Sequence, residues 1–392
     1  MPKVIVVGAG INGVTAAIEL KKRGHKVILV DPGPLPHPLA ASTDISKAVR
    51  AAYGPDEEYT ALAERAISLW HAWNKEFDVE LYHEVGVMWV RQGEMKRGDF
   101  EYESFKILEQ RGHRIERMNS ARLWNRFPAW NPELYRDGVL ELEAGYAESS
   151  LVVATLIERA KSLGIELHQG ARFSELDEGD DCVKGIVLAR GQRISADIVV
   201  VAVGAWTSYV LPFTQKFFRA TGQPVFHLKP RQPELFAPER FPVFGADIST
   251  TGYYGFPLSR EGVVKIANHG PGREMSPESS KRAVTPQEEQ NLREFLSSTF
   301  PALADAAIVY TRICLYCDTN DGHFWIAADP ERRGLIVATG DSGHGFKFAP
   351  VLGEIIADAV EGKSNPLLQK FRWRPEIHAG EQKEAARFER EP

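Results

Sequence analysis

Gly8, Gly10 and Gly13 stand in GxGxxG spacing, and an acid, Asp31, follows eighteen residues after the last of them. Glycines so spaced let a backbone turn tightly, approach a pyrophosphate and pack a helix closely on a strand; an acid at that remove accepts hydrogen bonds from an adenosine ribose and disfavours a 2′-phosphate. The chemistry is the binding of an adenine dinucleotide, NAD or FAD, since the fingerprint does not separate them. Further on, Lys47 and Arg50 stand three apart, Cys314 and Cys317 have CxxC spacing, and GDSGHGFKF (340–348) places a second glycine turn before an apolar run. A CxxC pair can be half a zinc site or a redox dithiol. Here no second CxxC or HxxxH-type pair completes a zinc site, and RICLYC reads as a strand where a redox CxxC opens a helix, so no metal site is expected.

These residues need elements to hold them. Lys3 to Val7 reads as a strand buried on both faces, and Ile11, Val14, Ala17, Ile18 and Leu20 recur at helical spacing up to Lys22. Gly24 can end that helix, and Lys26 to Val30 is a second strand delivering Asp31. The proline-dense PGPLPHPLAAS follows, fit for an extended course along a ligand. The segment AASTDISKAVRAAYG is expected to begin a helix capped by Ser42, Thr43 or Asp44, with Lys47 and Arg50 on one face. Those cations either contact an anion or form a solvated face. A long amphipathic helix is expected over 55–77, strand-like text over 81–90, and shorter helices near 102–110 and 120–125. A helix over 149–163, a strand at 165–168 and a small antiparallel meander over 171–201 lead to the buried strand ADIVVVAVGAW. Gly204 follows that strand's carboxyl end, where ligands of open α/β sheets lie, unless it is a plain strand-to-loop glycine. Beyond Leu211, strands broken by Pro and Gly imply an antiparallel sheet, then a helix near 286–300 and further strands at 307–314, 323–326 and 334–338.

The chain has 392 residues, 43% of them hydrophobic, enough for one large core or two moderate ones. With 47 basic and 53 acidic residues and no basic tract, nothing points to nucleic acid as a partner. Apolar runs are strand-sized, so no membrane span is expected. The first strand begins within two residues of Met1 and there are three cysteines, which together imply a cytoplasmic protein without a disulfide framework.

Four separated segments resemble monomeric sarcosine oxidase and its relatives, the FAD-dependent amine oxidases that include fructosyl amino acid oxidases. They are GAGINGVTAAIEL with Asp31, DISKAVRAAYG, YYGFP with VVKIANH, and RICLYCDTNDGHFWI with SGHGFKF. The likeness spans essentially the whole chain. It implies FAD as cofactor, joined through its 8α-methyl group to a cysteine at the position of Cys314, with Cys317 as the fallback; read without the resemblance, Cys314 is a buried structural thiol. The nucleotide side implied is Gly8, Gly10, Ile11, Asn12, Gly13 and Asp31, joined by Ser42, Thr43 and Lys47 and, from later segments, by Phe173, Gly204 and Trp206. The second glycine turn adds Gly340, Gly343, His344, Gly345, Phe346 and Lys347.

For catalysis the resemblance implies that Arg50 and Lys347 grip a substrate carboxylate, that Lys265 activates oxygen, and that Tyr254 and His269 line the substrate cavity. Read alone, Lys347 could be a surface lysine paired with Asp341, and Lys265 a solvated residue of an edge strand. Lys47 stands where sarcosine oxidases carry arginine, a departure that turns the expectation from sarcosine toward a bulkier N-substituted amino acid. The implied fold is mixed α/β: a Rossmann-type FAD-binding domain (1–80, 145–215, 311–375), a mainly antiparallel-sheet substrate domain (81–144, 216–310) and a C-terminal tail (376–392). The implied reaction oxidises the C–N bond of a secondary amine carrying a carboxylate, small-molecule amine and O2 in, H2O2 out. An FAD-dependent dehydrogenase or a multi-step oxidase acting on a cyclic amino acid would share these motifs, and a non-enzymatic NAD sensor would share only the first 31 residues.

Overall fold

The computed structural model describes residues 1–378 and 384–387. Strand β1 (Lys3–Val7) is the centre of a six-stranded sheet. On one side it pairs in parallel with β2 (Lys26–Asp31), and on the other with Ile198–Val201. Leu335–Thr339 and the antiparallel Trp325–Ala328 extend the sheet at one edge, and Glu166–Gln169 completes the other. Val4, Ile5 and Val6 are wholly buried, as expected of a parallel strand covered on both faces.

Helix α1 (Ile11–Lys22) follows β1 after a turn that only glycine fits. Gly8 has φ +100°, and a Cβ there would stand 2.5 Å from Ala202 O. A Cβ on Gly13 would stand 1.8 Å from Gly8 O, so glycine at this point is what lets the helix lie against the strand end. The helix Ala349–Glu361, which follows the second glycine turn, packs on α1.

The segment expected to open a helix does not. Lys47–Val49 is a short strand, β3, paired antiparallel with Gly145–Ala147. Ala48, Ala51 and Ala52 favour a helix, but their amides have other partners: Ala51 N and Ala52 N donate to the buried carboxylate of Glu141. The long helix is present as α2 (Glu57–Phe77), capped by Asp56 accepting from Tyr59 N at 3.0 Å. It buries the stripe Tyr59, Leu62, Ala63, Ala66, Ile67 and Trp70. Trp70 Nε1 donates to Lys347 O at 2.7 Å, tying the helix to the second glycine turn.

A nine-stranded, mainly antiparallel sheet makes up the other half, with one parallel junction between Val243–Ala246 and Val87–Arg91. Its longest pairing joins Phe218–Lys229 to Ala307–Thr319, which carries both Cys314 and Cys317 into this sheet. The meander Phe173–Ser195 forms a separate three-stranded sheet, as its alternation implied. Of the expected tail, residues 379–383 and 388–392 lie outside the described residues, while Glu384–Arg387 packs inward, with Ala386 buried. Among the described residues no helix is long and apolar enough to cross a membrane.

Candidate active site

Two cavities draw their walls from neighbouring stretches of the same segments. The larger, about 430 Å³, opens over the β1 turn and is lined by Gly8, Gly10, Ile11, Asn12 and Asp31, by Ser42 and Thr43, and by Phe173, Gly204 and Trp206. Asp31 closes the loop on itself: Oδ2 accepts from Ala9 N at 2.8 Å and Oδ1 from Gly33 N at 2.7 Å, leaving each oxygen further acceptor capacity. Ser42 Oγ accepts from Ile11 N at 3.0 Å at the helix terminus. Asn12 Nδ2 donates to Asp341 Oδ1 at 2.9 Å, while Asn12 Oδ1 and Thr43 Oγ1 are buried without a hydrogen-bond partner among the described residues. Buried orphan polar atoms beside a helix N-terminus and a glycine turn fit a phosphate- and hydroxyl-rich ligand. The residues present therefore fit the ADP half of a dinucleotide.

The smaller cavity, about 80 Å³, is walled by continuations of the same two segments, Lys47 and Arg50 from one and Gly343, His344, Phe346 and Lys347 from the other. Trp89, Tyr254, His269, Tyr316 and Ala386 also line it. Arg50 is buried; its Nη1 donates to Ala52 O, its Nη2 is ion-paired with Glu384, and its Cζ lies 4.4 Å over the Tyr53 ring. Lys347 is likewise buried, not a surface lysine: Nζ donates to Tyr53 OH at 2.9 Å and to His344 O at 2.8 Å. Burial, then the neighbouring Arg50 charge, holds its ammonium well below the ordinary lysine range. His344 Nε2 lies 3.0 Å from Gly322 O and so donates, leaving Nδ1 to accept from Tyr53 OH at 3.1 Å; burial pushes its pKa down to about 3, so the ring is neutral. His269 sits between Tyr316 OH (3.3 Å) and Glu384 Oε2 (2.6 Å).

Gly13, Gly340, Gly345, Lys265 and Cys314 do not line either cavity. Lys265 is fully buried in Val264–Asn268, not solvated at an edge, with Nζ 2.7 Å from Asp44 Oδ2, 2.5 Å from Ser46 O and 4.6 Å over the Phe256 ring. Burial lowers its pKa to about 8 even with Asp44 beside it. Cys314 Sγ lies 3.8 Å from Lys47 Nζ and packs with Val225, Ala267 and Tyr316. Cys317 lies three residues on, so the strand turns it to the opposite face, among Phe218, Trp325 and Val337. There burial pushes its thiol up to about 12. The two thiols are therefore not a dithiol pair, and among the described residues no group of three or more His, Cys, Asp or Glu could hold a metal ion.

Residues 3–359 match the FAD dependent oxidoreductase family. The chain belongs to that family. It is an FAD-dependent oxidoreductase of mixed α/β fold. It is 30% identical over 367 residues to a monomeric sarcosine oxidase of Bacillus sp. (strain B-0618), covering 92% of this chain and 93% of that one. An L-saccharopine oxidase of Schizosaccharomyces pombe is 29% identical over 423 residues, covering 97% and 95%. Among solved structures, the fructosamine oxidase Amadoriase II of Aspergillus fumigatus superposes with a TM-score of 0.85 at 25% identity, covering 99% of this chain and 94% of that one. FAD is thus the cofactor whose ADP half the larger cavity fits.

Tyr53, Tyr316 and Glu384 were not singled out by sequence. Tyr53 is the last residue but one of the DISKAVRAAYG segment and Tyr316 lies inside RICLYC, so both were within reach. Nothing in the sequence near residue 384 points to a site 334 residues away.

Proposed function

We propose that this FAD-dependent oxidoreductase oxidises the C–N bond of a secondary amine that carries a carboxylate, an N-substituted amino acid, with O2 as final acceptor and H2O2 as product. The observation that carries the reading is the joining of Arg50 and Lys347 in one small cavity whose walls continue two segments of the dinucleotide cradle. An arginine fork and an ammonium in a buried space recognise a carboxylate better than either alone. Bound FAD supplies the two-electron acceptor, and the protein supplies position and charge.

In this reading Arg50 and Lys347 hold the carboxylate, and Tyr53 keeps Lys347 aimed by accepting a hydrogen bond from its Nζ. The neutral His344, fixed by Gly322 O and Tyr53, adds no competing positive charge. Tyr254, His269 and Tyr316 wall the space for the amine. Lys265, buried and ion-paired with Asp44, is the proposed oxygen-activating cation. Cys314 is the proposed covalent attachment point. The FAD-binding unit is assigned to residues 1–80, 145–215 and 311–375, and the substrate unit to 81–144 and 216–310.

Two measurements test this. An acid-precipitated sample should keep its yellow colour in the pellet, and release of all colour to the supernatant removes the covalent link. A screen of N-methyl, cyclic and fructosyl amino acids should give peroxide equimolar with the oxygen consumed for at least one class; amine oxidation without peroxide would refute the oxidase reading.

A further inference from the structure

The seat proposed for the substrate carboxylate already holds a carboxylate of the protein itself. Glu384 is ion-paired with Arg50 through one oxygen, and its other oxygen is 2.6 Å from His269 Nε2. Both partners line the small cavity. Ala386, two residues on, is 1% exposed and forms part of the same wall.

This contact is built, not grazing. Arg387 forks onto Asp318, Nη1 to Oδ1 at 2.6 Å and Nη2 to Oδ2 at 2.7 Å, and its Nε donates to Gly270 O at 3.2 Å. Ala385 packs on Gly54, its Cβ 3.0 Å from where a Gly54 side chain would begin. Clefts of about 1100 Å³ and 860 Å³ lie outside the segment, and Glu384 lines both. The four residues therefore stand between the outer clefts and the cavity.

We infer that Glu384 competes with substrate, occupying the Arg50 seat until a substrate carboxylate exchanges with it. The inference rests on the reading of Arg50 as a carboxylate seat. The exchange has a chemical consequence: a neutral amine offers Arg50 nothing in return for Glu384, whereas a carboxylate replaces one ion pair with another. Every ligand that takes the seat bears the same cost of displacing Glu384, and only a carboxylate restores an ion pair to Arg50. The price is weaker apparent affinity, because the competent state is only a fraction of the whole. Glu384 is a poor candidate for a general base, since the Arg50 charge holds its carboxyl well below the usual carboxylate range.

The test uses holoenzyme and acetate as probe, followed by calorimetry and by the fluorescence of the cavity residue Trp89. Glu384→Gln keeps shape and removes charge; a chain ending at His378 removes the segment altogether. Acetate should bind about tenfold tighter to either form than to the unaltered enzyme, and the KM for a carboxylate-bearing amine should fall by a similar factor. Arg50→Ala should lose acetate binding in every background. Unchanged or weaker acetate binding by Glu384→Gln, with that Arg50 dependence intact, overturns the role of Glu384. If Arg50→Ala binds acetate like the unaltered enzyme, the carboxylate seat itself is wrong and this inference falls with it.

Discussion

Replacing Asp44 with asparagine should damage the protein by isolating the charge on Lys265. The two side chains are 1% exposed each, and Nζ stands 2.7 Å from Oδ2. What would remain around the ammonium is Ser46 O at 2.5 Å and the face of Phe256. Removing one partner of a buried pair costs about 3 to 5 kcal/mol, because the other charge is left without compensation. Lys265 is already depressed from 10.5 to about 8 by burial. That shift means the folded state binds fewer protons than the unfolded one between those values, so the stability lost below pH 8, about 3 kcal/mol, returns as pH rises toward 10.5. Without Asp44 the depression deepens and the loss at neutral pH grows. Urea unfolding of the unaltered protein, Asp44→Asn, Lys265→Met and the double variant gives a thermodynamic cycle; the double variant should be more stable than Asp44→Asn alone. In the proposed oxidase, the rate of flavin reoxidation by oxygen should fall above pH 8 as Lys265 loses its proton, and Asp44→Asn should move that midpoint downward. A coupling energy below about 0.5 kcal/mol, or a midpoint that does not move, would refute the reasoning.

Three further outcomes are expected. Glu101 is fully buried with Arg91 Nη1 3.5 Å away, and burial raises its pKa from 4.5 to about 7; its contribution to stability is present below pH 4.5 and lost as pH rises through 7. Glu101→Gln should therefore raise Tm at pH 8, by the equivalent of about 3 kcal/mol, with little gain at pH 4.5. Gly13→Ala puts a methyl 1.8 Å from Gly8 O and should yield protein that has lost about 3 kcal/mol of stability and most of its FAD, read from visible absorbance and urea midpoints. Arg50→Lys removes the fork that now reaches Ala52 O and Glu384 together; under the proposed function it should raise KM for a carboxylate-bearing amine by about thirtyfold, near 2 kcal/mol, in steady-state assays.

Features governed by neighbours in sequence were legible. The β1 turn, α1, β2 and the stripe of α2 depend on glycine conformations and apolar spacing that act within a few residues, and each is where its pattern put it. The resemblance extended this to Arg50, Lys347, Tyr254 and His269, which do share one cavity. The segment at 47–49 shows the limit. Its alanines favour a helix, yet the pairing partner at 145–147 and the Glu141 carboxylate lie about ninety residues on and take its amides instead.

What the sequence alone determined, then, is the dinucleotide cradle, because it follows from local backbone geometry and a short motif. Tertiary structure alone decided the charge state of the site. Asp44 against Lys265, Tyr53 between Lys347 and His344, and above all Glu384 on Arg50 are contacts across hundreds of residues. Coulomb energy depends on distance and on exclusion of water, and neither is encoded in sequence separation.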